Sequence, residues 1–404
     1  MRMGQMPFVK KDNERGGIMR LSTEALEQAA WLTKEMIRFP SYEAEGKRAL
    51  LRWLEDYIKK EVPQATVYTY DMDTTEPYFA AVLRCEEAKF RLMLQGHIDV
   101  VSPEGMEEPY SGREEGGNIY GRGASDMKSG CACNIVAFLE AAKLERTGEI
   151  WLVFSSDEEY SAAEMGKAFS SQQLPVMDLA VIPECTSGKM SVAHKGNAWL
   201  QVDFFGKSAH ASDPSKGKNA ISMANRFLTK LEAYLEHAYD HQEDPICGKP
   251  VMNVGVICGG SAPNVVPPKC TVKIDKRYLP GDTVDTFIGE MEQILAQCKE
   301  EDAAFEGKVS VIVDCTPLKF DVNSPLCQRV MQAINRVRET EVEVGFLPGW
   351  GEGGFIQNFG IPTFYLGPGL MEEAHTPTEY VPVKEIHQVA EEMFQIVLET
   401  CVEK

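Results

Sequence analysis

What this chain lacks narrows the choices first. No stretch approaches the roughly 18 unbroken apolar residues that a membrane span needs. Positive charge is in deficit. Against 61 Asp and Glu stand 41 Lys and Arg, a formal net charge of −20. A surface this acidic repels phosphate backbones, so neither nucleic acid nor a membrane is an expected partner. The eleven cysteines are scattered, odd in number and outside any Cys/His motif, which argues against a disulfide framework and for a reducing compartment, the cytoplasm. The opening MRMGQMPFVKKDNERGGIMR lacks an apolar core of the signal-peptide kind and reads as a flexible leader, with Met19 a second candidate start. Internal repeats and low-complexity tracts are absent too. What is there is ordinary globular composition, 44% hydrophobic and 25% charged. Over 404 residues that suggests two domains.

Periodicity divides the chain. Residues 24–38 and 44–60 read as helices, the second with Leu50, Leu51, Leu54 and Ile58 at helical spacing. Strand-like runs follow at 79–85 and 90–97, then an amphipathic helix over 128–148 with Ile135, Val136, Leu139 and Ala142 on one face and Gly148 as its stop. Apolar runs at 149–156 and 179–184 resemble buried strands of a parallel sheet. This alternation predicts an α/β layer fold. From about residue 196 the pattern becomes βαββαβ, the ferredoxin-like order, with strands near 198–206, 251–260, 269–279 and 307–313. In the second of these, Met252, Val254 and Val256 are expected to face inward. The α/β pattern then resumes with a helix at 325–340, a strand at 362–368 and a last helix from about 384. The predicted fold class is α/β: a mixed-sheet α/β/α domain over 1–195 and 316–404, with a ferredoxin-like α+β domain, 196–315, inserted in it.

Acids collect where the apolar runs end. LMLQGHIDVV carries His97 and Asp99 past one strand, GRGASDMKSG carries Asp126 before a helix, FSSDEE carries Glu158 and Glu159, and VIPE carries Glu184. Ligands of open α/β sheets sit at the carboxyl ends of the strands, so these residues should share one crevice. That much negative charge is untenable there without cations. Imidazole and carboxylate without thiolate is the donor set of a catalytic zinc, cobalt or manganese site, and the number of acids suits two ions. Asp99, two residues from His97, could orient the ring or the loop. Of Glu158 and Glu159, whose side chains diverge, one can hold metal and the other act as general base. Singly, each residue has an ordinary reading: an isolated histidine is usually structural, and SDEEYSAAE alone would be a solvated acidic helix start.

The motifs GHIDVV, GRGASDMKSG, SDEE, GKSAHAS and AHTPTEY, in this order between about residues 90 and 385, resemble the di-zinc aminoacylase and carboxypeptidase metallopeptidase family. That family includes acetylornithine deacetylase, succinyl-diaminopimelate desuccinylase and glutamate carboxypeptidase. The resemblance implies that His97, Asp126 and Glu159 are metal ligands with Asp126 bridging, that Glu184 completes one metal and His375 the other, and that Glu158 is the base, supported by Asp99. It implies a cis peptide between Asp126 and Met127. It makes the insert a dimerisation or lid domain, the chain a homodimer through that domain, and His210 a residue that reaches the neighbouring subunit's active site. Asn264 and Arg277 are the implied substrate contacts. The implied cofactors are two divalent ions per chain, zinc first. The implied reaction is amide hydrolysis of a small N-acyl amino acid by an activated water. A dipeptidase or carboxypeptidase acting on a short peptide is the alternative, and a non-catalytic binding homologue a remote one. LPGWGEGGF departs from the family pattern: Trp350 and Glu352 stand where smaller residues are usual, in a loop expected to shape the pocket.

Overall fold

The computed structural model describes residues 18–160 and 164–403, so most of the expected leader lies outside the described residues. The chain divides into two compact units. The first comprises residues 1–192, 319–347 and 351–404, the second 193–318 and 348–350.

The first unit is built on a mixed sheet. Seven of its nine strands run side by side in the order Thr66–Tyr70, Tyr78–Leu83, Glu149–Ser155, Arg91–His97, Leu179–Ile182, Thr363–Tyr365 and Met190–His194. The middle four pair in parallel, and the flanking strands pair antiparallel. Strand Glu149–Ser155 is buried along its whole length, as a run with helices over it must be. Successive residues of a strand point to opposite faces. A Cβ on Gly96 would meet Cys131 of helix Ser129–Ala141, whereas the Gln95 side chain bonds Glu352 at the head of helix Gly353–Gln357. Helices therefore cover both faces, an α/β/α arrangement. Among the described residues no helix is long and apolar enough to cross a membrane, and all eleven cysteines are free thiols.

Helix Ser129–Ala141 differs from its sequence reading in two ways. It is buried all round rather than amphipathic, and it stops seven residues before Gly148. Tight turns from Lys143 and Leu144 to Glu140 and Ala141 end it. The chain then pairs with the C-terminus, Thr147 and Gly148 both donating to the Cys401 carbonyl, so tertiary pairing overrides helix propensity here.

The second unit is a four-stranded antiparallel sheet in the order Val251–Gly259, Lys269–Tyr278, Gly196–Phe205, Gly307–Cys315. Helices Ala220–Leu235 and Val284–Glu301 cover one face, in ferredoxin-like topology. Leu200, Val202, Phe204, Val272 and Ile274 alternate into a core with Phe227, Leu231, Met291 and Ile294. Strand Val251–Gly259 is a correction to the inward pattern expected there. It is the sheet edge, a bulge shifts its register between Val254 and Val256, and Val254 and Val256 are exposed. A bulge breaks strict alternation, so apolar periodicity along an edge does not identify a buried face.

Candidate metal centre

Parallel strand ends assemble the site in the first unit. His97 is the last residue of Arg91–His97, and the next strand over, Glu149–Ser155, runs into Asp157, Glu158 and Glu159. Glu184 lies just past Leu179–Ile182. A wall of close backbone seats it: a Cβ on Gly130 would lie 2.0 Å from the Pro183 carbonyl oxygen, and one on Gly367 would lie 2.2 Å from the carbonyl oxygens of both Pro183 and Glu184. Glycine at both positions lets a helix and a strand end close on residues 183–184. Asp126 lies in the turn before helix Ser129–Ala141, and the peptide joining it to Met127 is cis. His375, at φ +63°, comes from the loop after Thr363–Tyr365.

Two triads result, and they share one residue. His97 Nε2 lies 3.2 Å from Asp126 Oδ1 and 3.5 Å from Glu184 Oε1. His375 Nε2 lies 3.3 Å from Asp126 Oδ2 and 3.1 Å from Glu159 Oε2. Each triad could hold a metal ion, and the two oxygens of Asp126 face one triad each. Glu158 belongs to neither, although its Oε2 approaches His97 Nε2 at 3.9 Å.

The surroundings orient these side chains. His97 Nδ1 donates to the Asp99 backbone carbonyl at 3.0 Å, with Asp99 Oδ1 at 3.5 Å, which leaves Nε2 for the triad. Asp99 Oδ2 accepts the Glu159 backbone N–H at 3.1 Å, so Asp99 serves both the histidine and the acid loop. Lys47 reaches the same loop from helix Ala44–Glu61, donating to the Ser156 carbonyl at 2.5 Å.

Crowding sets the protonation. Burial foremost, with Glu184, Glu159 and Asp126 adding against the pull of His97, holds Glu158 well above the usual carboxylate range. Burial likewise lifts Glu184 to about 8, again against His97. Hydrogen bonds to Asp126 and Glu159 raise His375 to about 10. Burial works against a charged His97, yet Glu184, Asp126, Asp99 and Glu158 raise its pKa well above the ordinary value. Burial also opposes ionisation of Asp126, but hydrogen bonds from His375 and His97 keep it below the usual range. A cluster that recruits protons in this way has a surplus of negative charge to neutralise. The buried Glu159 Oε1 has no hydrogen-bond partner. Orphaned oxygen, imidazole and carboxylate donors, and a shared Asp126 all fit a pair of divalent cations.

Residues 93–399 match the family model described as Peptidase family M20/M25/M40. The chain belongs to that family. Its relatives include acetylornithine deacetylase from Pectobacterium carotovorum, 30% identical over 80% of this chain and 84% of the relative. Another is acetylornithine deacetylase from Proteus mirabilis, 28% identical over 92% and 96%. The fold is shared with aminopeptidase PepT from Bacillus cereus, with a TM-score of 0.71 at 19% identity over 93% of this chain and 98% of that one. It is also shared with the YXEP protein of Bacillus subtilis, described as a dinuclear metal binding peptidase from M20 family, with a TM-score of 0.70 at 14% identity over 94% and 100%. This M20 member is thus a metal-dependent amidohydrolase.

His210, Asn264 and Arg277 lie in the second unit. His210 and Asn264 are brought together there: Ala211 N donates to the Asn264 carbonyl at 3.0 Å and Val266 N to the Ala209 carbonyl at 2.8 Å. Both side chains are exposed. His210 Nδ1 accepts the Ser212 backbone N–H at 3.2 Å and lies 2.7 Å from Ser212 Oγ, which leaves Nε2 free of local partners. Arg277 is held in a two-pronged pair with Asp275, at 2.9 and 3.2 Å. Glu352, in the loop expected to shape the pocket, is itself buried. It is 1% exposed beneath the strand ends, and its Oε2 accepts from Gln95 and, at 2.6 Å, from Ser155 Oγ. Sequence reasoning gave no role to Glu379 or Arg122, whose carboxylate and guanidinium pair at 2.6 Å within the first unit, nearly inaccessible to solvent. Glu379 lies in the AHTPTEY motif four residues past His375, which was the available signal.

Proposed function

We propose that this chain hydrolyses the amide bond of N-acyl amino acids, in the manner of a deacetylase or desuccinylase. The observation that carries the reading is the bridging position of Asp126 between two triads, with Glu158 beside them and in neither. The acetylornithine deacetylase relatives support the substrate class. His97, Asp126 and Glu184 would hold one cation, and Asp126, Glu159 and His375 the other. Zinc is the ion we favour for this imidazole-and-carboxylate set, a donor mix that cobalt and manganese also accept. When bound, the pair supplies Lewis acidity, which polarises the scissile carbonyl and makes the attacking water easier to deprotonate.

The chain's own groups do the rest. Glu158 takes the proton from the water as it attacks the acyl carbon, then delivers it to the leaving amine nitrogen as the C–N bond breaks. Burial raises the Glu158 pKa above the usual carboxylate range, which makes the ionised group a stronger proton acceptor. Asp99 keeps His97 in the tautomer that leaves Nε2 free. In our reading His210 donates from Nε2 to the oxyanion, Asn264 contacts the substrate, and Arg277 grips its carboxylate after exchanging Asp275 for it. Glu158→Gln should keep two metal ions per chain by elemental analysis and lose at least about a thousandfold in kcat. A Gln variant with substantial turnover would remove Glu158 from this role. Comparing acylated amino acids with dipeptides on the same preparation separates deacylase from dipeptidase.

The reading extends to a homodimer through the second unit, in which His210 acts on substrate held by the other protomer. Exposed Val251, Val254, Val256 and Ile257 on the edge strand support it, because an unpaired apolar edge is suited to pairing with its twin. Sedimentation at micromolar concentration should give a dimer. A fully active monomer would rule out the trans role.

A further inference from the structure

Glu379 lies four residues past His375, just before strand Tyr380–Pro382, which pairs with Asn118–Tyr120. It is completely buried. Its Oε1 accepts the backbone N–H groups of Ser125 and Asp126 at 2.9 and 3.1 Å. Its Oε2 accepts Gly123 N–H at 3.2 Å and Arg122 Nη1 at 2.6 Å. Its own carbonyl accepts Gly121 N–H at 3.2 Å. The turn 123–126 thus aims three amides at one anion, a concave arrangement that Gly123 permits at φ +86°. Arg122 balances the charge, and its other arm reaches the Ser102 carbonyl at 3.3 Å.

The consequence lies in which ligands this carboxylate connects. Asp126, common to both triads, is held by its own amide on Glu379. His375, exclusive to one triad, rides on the loop that Glu379 ends. The other three ligands leave parallel strands whose register the sheet fixes. We propose that Glu379 is a positioning residue that sets His375 against Asp126 and so controls the affinity of the Asp126–Glu159–His375 site selectively. The inference rests on the two-metal reading above. Glu379→Gln would turn an NH2 toward amide donors and remove the charge that Arg122 pairs with. Groups that orient ligands in this way are worth about 10–100-fold in metal affinity.

The test is a titration of metal-free protein with Co2+, followed by absorption and calorimetry, which reads each site without reference to turnover. Wild type should bind two ions. Glu379→Gln should bind one with near wild-type affinity and the second at least tenfold more weakly, and Glu379→Asp should recover part of the loss. If Glu379→Gln does not fold, Arg122→Lys, which keeps the charge but loses the fork, should weaken the same site selectively. Two unchanged affinities in the folded variant, or an equal fall in both, overturn the inference and leave the two-metal reading standing. Wild type that binds fewer than two ions overturns that reading itself.

Discussion

Replacing Gly130 by alanine sets two physical effects against each other. Gly130 lies in the first turn of helix Ser129–Ala141, where alanine is favoured over glycine by about 1 kcal/mol. Propensity alone therefore predicts a more stable protein. Packing predicts the reverse. The new Cβ would sit 2.0 Å from the Pro183 carbonyl oxygen, and ordinary contact begins near 3.4 Å, so about 1.4 Å must be found. Residues 183–184 have little room to withdraw, because Gly367 also closes on them, so tightly that a Cβ there would lie only 2.2 Å from their carbonyl oxygens. Overpacking of this kind costs about 1–3 kcal/mol and usually exceeds the helical gain. A net loss of roughly 1–2 kcal/mol corresponds to a fall in Tm of about 1–2.5 °C for a protein of this size. Function should suffer more than stability. The shift separates Asp126, at the head of that helix, from Glu184, now 3.5 Å from His97, and a misplacement of about 1 Å costs on the order of a hundredfold in rate. Calorimetry of metal-free Gly130→Ala protein and kcat/KM of the loaded enzyme check both halves. Unchanged or raised Tm together with wild-type activity would refute the packing argument.

Two other predictions concern buried titratable groups. Burial holds the wholly enclosed His194 down to about 4, below its unfolded value of roughly 6.5, so the unfolded chain binds the proton first as pH falls. Its contribution is complete above pH 6.5 and is lost down to pH 4, on the order of 3 kcal/mol in all, and urea titrations of His194→Asn should show a flatter pH dependence over that window; slopes equal to wild type would contradict this. Burial raises Glu352 to about 8, so it is mostly protonated near neutrality and Glu352→Gln should leave KM within about twofold. A tenfold rise in KM would return Glu352 to the pocket.

Legibility in the sequence followed segment length and the range of the contacts. Apolar runs such as 149–155 declare a buried strand by themselves, and the acids that follow them mark its functional end. Strands of three residues, such as Arg113–Glu115 and Tyr380–Pro382, are too short for any period and exist through pairing with Asn118–Tyr120. The edge strand Val251–Gly259 was found, but which of its residues face inward depends on a bulge that the apolar pattern does not show. Glu379 was least legible. A glutamate in a polar loop looks solvated, and its partners at 122–126 lie more than 250 residues away.

Two buried thiols sharpen the chemistry of the centre. Cys131 and Cys185 lie close to His97 and Glu184, and thiolate is the stronger zinc ligand, so the absence of sulfur from both triads needs a cause. Geometry supplies it first: Cys131 Sγ is turned to the His97 carbonyl at 3.2 Å, and Cys185 Sγ toward Met371 Sδ at 3.9 Å. Electrostatics acts in the same direction. Burial above all raises both thiols, and the negative field of the neighbouring carboxylates adds to it, Glu184 for both and Asp126 for Cys185. The surplus of acid that calls for cations therefore also keeps the nearby sulfur protonated and out of the donor set. An all nitrogen-and-oxygen centre leaves its ions better able to polarise a carbonyl than thiolate ligation would, which is what hydrolysis of an amide requires.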